Sequence, residues 1–118
     1  MQSHSSVAAV AEAVKRYRHT VLGVNFVNNS MNSRSIKLII DSFSHHFQSL
    51  KSINLSGNNV GIDGANHLAT QIPELKQLKM LYLNGCNLTD RGVTELLKSL
   101  IAADRDLEVL DISGNSIG

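Results

Sequence analysis

The chain has 118 residues, of which 42% are hydrophobic, 4% aromatic and 18% charged. This length suits one domain, and the scarcity of aromatic residues predicts a core of aliphatic side chains. Eleven basic and ten acidic residues leave a net charge of +1 without a long run of one sign, which argues against nucleic-acid binding. The single Cys86 excludes a disulfide within the chain and favours a cytoplasmic location.

The N-terminal stretch VAAVAEAV, residues 7–14, is apolar enough to suggest a signal sequence. No basic segment precedes it, Glu12 interrupts it, and no cleavage pattern follows it. It is also shorter than the roughly 18 apolar residues that indicate a membrane-spanning helix. We therefore expect an ordinary helix over residues 1–20 and no interaction with a membrane.

A five-position pattern recurs along the rest of the chain, beginning at residues 21, 50, 78 and 107, with a period of 29, 28 and 29 residues. Apolar residues occupy four of its positions. The remaining position holds Asn29, Asn58, Cys86 and Asn115 in the successive copies. The pattern divides a single domain of residues 1–118 into repeats at 21–49, 50–77 and 78–106 and a truncated repeat at 107–118.

Each copy combines a strand signal with a helix signal. Leu81 and Leu83 alternate with Tyr82 and Asn84, which is the period of two expected of a half-buried strand. Apolar residues at helical spacing follow the turn, and in this repeat they are Val93, Leu96, Leu97 and Leu100. Repeated strand–turn–helix units with right-handed crossovers place a parallel sheet on one side and helices on the other.

This pattern resembles the leucine-rich repeat family, and its period resembles the variant found in ribonuclease inhibitor and Ran GTPase-activating protein. The resemblance covers essentially the whole chain. It implies an α/β fold, a leucine-rich repeat solenoid with a short parallel sheet on the concave side and helices on the convex side. It also implies a scaffold that binds other proteins and is not an enzyme.

The asparagines of the pattern are expected to stabilise the turn after each strand. A buried asparagine amide can donate to one backbone carbonyl and accept from a backbone N–H. We therefore interpret Asn29, Asn58 and Asn115 as structural residues. Cys86 occupies the same position, where the family pattern accepts Asn or Cys, and we expect a buried thiol that reacts slowly.

The sequence contains no recognisable catalytic or metal-binding set. The adjacent His45 and His46 diverge by about 100 degrees on a helix, and His4, His19 and His67 lie far apart in the sequence. There is no phosphate-binding glycine loop followed by Lys, no Ser-His-Asp signature and no paired-carboxylate motif. We expect no metal, no cofactor and no catalysis by the chain alone.

Function is instead expected on the strand residues that face away from the core and line the concave side. Most of them are small and neutral, Tyr82 and Met80 are the large ones, and Tyr is a favoured interface anchor. The predicted partner-binding residues are Asn25, Val27, Ser52, Asn54, Met80, Tyr82, Asn84, Val109 and Asp111. A solvated sheet that binds nothing at this point is the alternative.

Three functions fit these features. The first is a protein–protein interaction module, part of a longer repeat array, that binds a protein partner through its concave face. The second is a regulator of a small GTPase or of actin filaments, because similar repeats occur in Ran GTPase-activating protein and tropomodulin. The third is a purely structural repeat segment.

The two ends of the pattern lead to different expectations. Val7, Val10, Ala11 and Val14 fall at the helix positions of a repeat, so the N-terminal helix is expected to cap the array. The truncated repeat 107–118 has an apolar strand and turn with no following helix. We therefore expect either a fragment of a longer array or a homodimer in which two chains bury these open ends.

Overall fold

The computed structural model describes residues 9, 12, 13, 16, 22–46 and 49–115, and for residues 43–46 it describes the backbone only. From residue 22 onward, strands and helices alternate. The strands are β1 Gly23–Asn25, β2 Ser52–Asn54, β3 Met80–Tyr82 and β4 Val109–Asp111. The helices are α1 Ser33–His46, α2 Gly61–Gln71, which continues into a 3₁₀ turn Ile72–Glu74, and α3 Thr89–Ala102.

The four strands form one parallel sheet in the order β1-β2-β3-β4. Their register aligns residues that lie one repeat apart, so that Val24, Ile53, Leu81 and Leu110 are side by side. The predicted fold class, a leucine-rich repeat solenoid with a short parallel sheet and helices, is confirmed. The sheet register therefore follows the period of the sequence.

Aliphatic side chains fill the space between the sheet and the helices. Ile53 and Leu81 from the strands and Ile36, Leu68 and Leu96 from the helices are fully buried. Each fully buried Leu or Ile side chain contributes about 1.5 to 3 kcal/mol. The core is continuous from one repeat to the next, so that each repeat is stabilised by its neighbours.

The turn after each strand contains a residue with a left-handed backbone conformation. These residues are Asn28, Gly57, Gly85 and Gly114, with φ between 55° and 77°. A Cβ on Gly57 would lie 1.9 Å from Oδ1 of Asn28 in the preceding repeat. The turns of successive repeats are thus in contact. Glycine at position 57 allows the positive φ of this turn and leaves room for the Asn28 side chain.

Adjacent helices also approach closely. A Cβ on Gly92 of α3 would lie 3.2 Å from Cβ of Ala65 in α2, and the Ser99 hydroxyl donates to the Ala69 carbonyl at 2.5 Å. Small residues at this crossing bring the two helices together. On the other side of α2, His67 Nε2 lies 2.7 Å from Asp41 Oδ1 of α1.

Arg105 connects the end of α2 to the following repeat. Its guanidinium donates to the carbonyls of Leu75 and Pro73 at 3.2 and 3.1 Å, and to that of Ala103 at 3.0 Å. Helix C-termini leave carbonyl groups without intrahelical partners, and a cation there also interacts favourably with the helix dipole. The half-buried Arg105 therefore links two repeats at the edge of the molecule opposite the turns.

The two ends of the described sheet are less buried than its centre. Leu22, before β1, is 55% exposed, and Leu107, Leu110 and Ile112 around β4 are only partly buried. Within the described residues, no strand pairs with the outer edge of β1 or β4. Val7, Val10, Ala11 and Val14, the basis of the predicted N-terminal cap, lie outside the described residues.

None of the helices in the described part of the chain is long and apolar enough to cross a membrane.

Candidate functional site

The predicted concave face comprises the strand side chains that point away from the core. Asn25, Asn54, Tyr82 and Asp111 lie side by side across the four strands. Tyr82 is half-buried, and its hydroxyl lies 3.7 Å from Sδ of Met80. The structure therefore brings together the predicted residues at the centre of the sheet.

A shallow depression of about 380 Å³ lies beside Tyr82. Its lining comprises Gly23, Val24, Asn25, Ser52, Asn54 and Tyr82. Four of the predicted partner-binding residues thus share one concavity. Among the others, Val27 and Asn84 are exposed and Met80, Val109 and Asp111 are intermediate in exposure.

Short local hydrogen bonds hold two side chains of this row, Asn25 and Asn54. Oδ1 of Asn25 accepts from the Val27 N–H at 3.0 Å, and Oδ1 of Asn54 accepts from the Ser56 N–H at 3.0 Å. These are Asx turns, in which the side chain replaces a backbone acceptor. They fix the orientation of both amides at the ends of their strands.

Tyr82 occupies the same position in β3 and cannot form an Asx turn. The N–H of Asn84, two residues later, instead donates to Oγ of Ser56 in the preceding repeat at 3.0 Å. Ser56 thus permits an aromatic residue in the row without leaving a backbone donor unsatisfied. This role of Ser56 was not predicted from the sequence. The sequence feature that indicates it is that position 82 holds neither Asn nor Asp.

Asp111 is the acidic member of the row. Its Oδ1 accepts from both the N–H and the hydroxyl of Ser113, at 3.0 and 2.6 Å. These hydrogen bonds favour the carboxylate and lower the pKa of Asp111 below its ordinary value, the side-chain bond contributing most. The row therefore carries one negative charge at neutral pH, at its β4 end.

Behind the concave face, Asn58 connects the first two turns. Its Nδ2 donates to the carbonyls of Phe26 and Leu55 at 2.7 and 2.9 Å. Its Oδ1 accepts from the N–H groups of Asn29 and Met31 at 3.1 and 2.9 Å. One buried amide thereby satisfies four backbone groups, three of which belong to the preceding repeat.

Asn115 makes the same contacts two repeats further along the solenoid. Its Nδ2 donates to the carbonyls of Leu83 and Ile112, both at 2.8 Å. Its Oδ1 accepts from the N–H groups of Cys86 and Leu88 at 2.9 and 3.0 Å. We call the stacked residues Asn58, Cys86 and Asn115 the ladder.

Cys86 fills the intermediate level of the ladder with fewer hydrogen bonds. The fully buried thiol donates to the Leu55 carbonyl at 3.2 Å. Sulfur is a weak acceptor, and the N–H groups of Asn58 and Val60 donate within their own turn, to Leu55 and to the Asn58 carbonyl. Burial raises the pKa of the Cys86 thiol, although the backbone N–H groups of Asn58 and Gly57 oppose this rise.

Asn29 holds the equivalent position in the first repeat but differs from the ladder residues, because it is exposed. Its backbone N–H donates to Asn58, but its side chain has no hydrogen bond within the described residues. The expectation of a buried amide is wrong at this position. Among the described residues no strand or turn precedes β1, so none of them supplies the contacts that Asn58 receives from the repeat before it.

Neither the concave face nor the ladder suggests a metal centre. Among the described residues, no three His, Cys, Asp or Glu side chains lie close enough together to hold an ion.

Comparison with known proteins places this geometry in a wider context. A family model described as "Leucine Rich repeat" matches residues 46–69, 77–97 and 103–118. Receptor-like protein 32 of Arabidopsis thaliana is 39% identical over 79 residues, which cover 64% of this chain and 8% of that protein. Receptor-like protein 34 of the same plant is 31% identical over 72 residues, covering 61% and 7%. The chain thus spans less than a tenth of the length of these relatives.

Two solved structures share the fold. One is leiomodin-1 actin-binding site 2, with a TM-score of 0.79, 17% identity and coverage of 92% of this chain and 63% of that one. The other is the tropomodulin C-terminal domain of Caenorhabditis elegans, with a TM-score of 0.74, 16% identity and coverage of 90% and 62%. The chain therefore spans less than two thirds of either structure, and at these identities the likeness concerns the fold alone.

The ladder makes a direct prediction for stability. Asn58→Ala removes the partner of four backbone groups and should lower the free energy of unfolding by about 3 kcal/mol, because unsatisfied buried groups are costly. Asn29→Ala, the same change at the exposed position, should change it by less than about 0.5 kcal/mol. Urea denaturation measures both. Equal effects of the two substitutions would contradict the structural role of Asn58.

The raised pKa of Cys86 predicts a loss of stability at alkaline pH. Because the folded pKa lies above the unfolded one, the stabilisation is complete below the unfolded pKa of about 8.5 and is lost as pH rises towards the folded pKa. Wild type should therefore lose more unfolding free energy than Cys86→Ala between neutral and alkaline pH. A thiol reagent should also label the native protein slowly and react faster in urea. Rapid native labelling would contradict burial of the thiol.

Proposed function

The chain belongs to the leucine-rich repeat family, and from this premise we propose that it is a protein-binding module whose contact surface is the concave face of its sheet. Members of this family are generally binding modules and not enzymes. Solenoids of stacked repeats use their extended concave surfaces for binding. The ladder and the core keep the strands in register and so present the concave side chains as one rigid surface.

The position of Tyr82 carries this proposal. Tyr82 lies at the centre of the concave row, with Asn54 on one side and Asp111 on the other. Its ring is only half-buried, although the sheet could accommodate a small polar residue there, as in the other repeats. Large aromatic side chains with a polar tip are the residues that most often dominate binding energy at protein interfaces.

The finer organisation is part of the same proposal. The 29-, 28- and 29-residue spacing supports repeats at 21–49, 50–77 and 78–106, with 107–118 as a partial repeat, in one domain of the type found in ribonuclease inhibitor and Ran GTPase-activating protein. The length of the receptor-like relatives supports membership of a longer array. The buried, unpaired Cys86 supports a reducing, cytoplasmic location.

Truncation of the central aromatic residue tests the binding surface. Tyr82→Ala should weaken binding of a purified protein partner by about 2 kcal/mol, or about 30-fold, because it removes the anchor of the face. Tyr82→Phe should retain most of the affinity, and Thr94→Ala, at an exposed position on α3, should leave it unchanged. Calorimetric titration measures all three variants. Unchanged binding by Tyr82→Ala would contradict the assignment of the concave face as the contact surface.

A second candidate function is the regulation of actin filaments. It is favoured by one observation, the likeness of the fold to a structure named for actin-binding site 2 of leiomodin-1. If this function applies, the chain should co-sediment with actin filaments, and Tyr82→Ala should reduce the bound fraction. Absence of co-sedimentation with actin filaments in large excess over the chain would contradict this function.

Homodimerisation through β4 is a further proposal. It is supported by the partial exposure of Leu107, Leu110 and Ile112 beside a strand edge that pairs with no other described strand. Light scattering should then show a mass that rises with concentration. A constant monomer mass over the whole range would contradict it.

A further inference from the structure

Charge is nearly absent from the strands and turns of all four repeats. Of the chain's eleven basic and ten acidic residues, these segments contain Asp111 alone, but they contain ten of its eleven asparagines. The segments are residues 22–32, 52–61, 80–89 and 109–115. Charged residues and asparagines are therefore segregated along the sequence with the same period as the repeat.

The structure converts this segregation into two different surfaces. The helices and the loops that lead into the strands carry the charges, and the groove of about 620 Å³ between α2 and α3 is lined by Arg91, Glu95 and Lys98 among others. The depression beside Tyr82 has no charged side chain in its lining. A charged partner group placed there would lose its hydration without gaining a counter-ion, which is unfavourable.

The depression instead presents unused hydrogen-bond donors. Oδ1 of Asn25 and of Asn54 is occupied by the Asx turns, which orients each Nδ2 away from the turn. Within the described residues, neither Nδ2 atom has an acceptor, and the hydroxyl of Ser52 is also without a hydrogen bond. A partner that buries this face must supply acceptors, because donors left unsatisfied on burial cost free energy.

From these observations we propose that the concave face binds an uncharged polypeptide segment. Its backbone carbonyl groups accept hydrogen bonds from the Asn25 and Asn54 amides, and one of its apolar side chains packs on the ring of Tyr82 beside Met80. The inference rests on the proposed function of the concave face and adds the chemistry of the partner. It distinguishes this surface from one that selects charged sequences through complementary ion pairs.

The test uses the full chain and a displayed library of short random peptides. Peptides that bind wild type but not Tyr82→Ala should be depleted of Asp, Glu, Lys and Arg relative to the library. Synthetic copies should bind with an affinity that changes less than about twofold between about 50 and 500 mM NaCl, because screening acts only on charge pairs. Neutral, salt-insensitive peptides support the proposal.

Two isosteric substitutions test the amide donors of Asn25 and Asn54 without disturbing the fold. Asn25→Asp and Asn54→Asp keep the Oδ1 that closes each turn but replace the donor with a charged acceptor, and each should weaken peptide binding at least about tenfold. Asn66→Asp makes the same chemical change on the exposed surface of α2 and should leave binding unchanged. The circular dichroism spectra of all three should match wild type.

The remaining outcomes are distinguishable. Selection of basic peptides whose affinity falls with salt and depends on Tyr82 would overturn this inference but keep the concave face as a binding surface. Full binding of neutral peptides by Asn54→Asp would also overturn it. Failure to select any peptide that depends on Tyr82 would overturn this inference, whereas the proposed function is overturned only if Tyr82→Ala also leaves the binding of a purified protein partner unchanged.

Discussion

The structure depends on one constraint: each turn between a strand and a helix has backbone groups that its own repeat does not satisfy. In the first repeat these include the Phe26 carbonyl and the Met31 N–H, and the amide of Asn58 in the next repeat pairs with both. A hydrogen bond to a buried group matters mainly because its loss leaves that group without water. Each of the first three repeats therefore needs the following one to complete its turn, in addition to the shared aliphatic core.

The same constraint explains the chemistry of the concave face. Turns with left-handed residues and Asx caps select Gly, Asn and Ser, which are small and uncharged. The residues that satisfy the turns thus leave the adjacent surface rich in amides, with Asp111 as the charged exception. Tyr82 is tolerated because Ser56 supplies the missing acceptor across the repeat boundary. The same short segments therefore stabilise the turns and supply the groups that are proposed to bind a partner.

The sequence was sufficient to predict the repeat, the parallel sheet and the burial of positions such as Leu81 and Cys86, because these follow from spacing that recurs in every copy. It did not predict the exposure of Asn29, since the pattern around Asn29 is the same as that around the buried Asn58. Nor did it predict the contacts of Arg105 with the carbonyls of Leu75 and Pro73. Those contacts join loop residues that lie about one repeat apart in the sequence. The repeat pattern has no fixed position in these loops, so the contacts depend on the three-dimensional path of the chain.

Amide hydrogen exchange in the native protein tests most directly whether the ladder joins the repeats. The N–H groups of Met31 and Leu88 donate to the side chains of Asn58 and Asn115 in the following repeats, whereas that of Val27 donates within an exposed Asx turn. The account predicts that Met31 and Leu88 exchange only through the global unfolding that also releases the core, and that Val27 exchanges far faster by local opening. Exchange of Met31 and Leu88 as rapid as that of Val27 would contradict it.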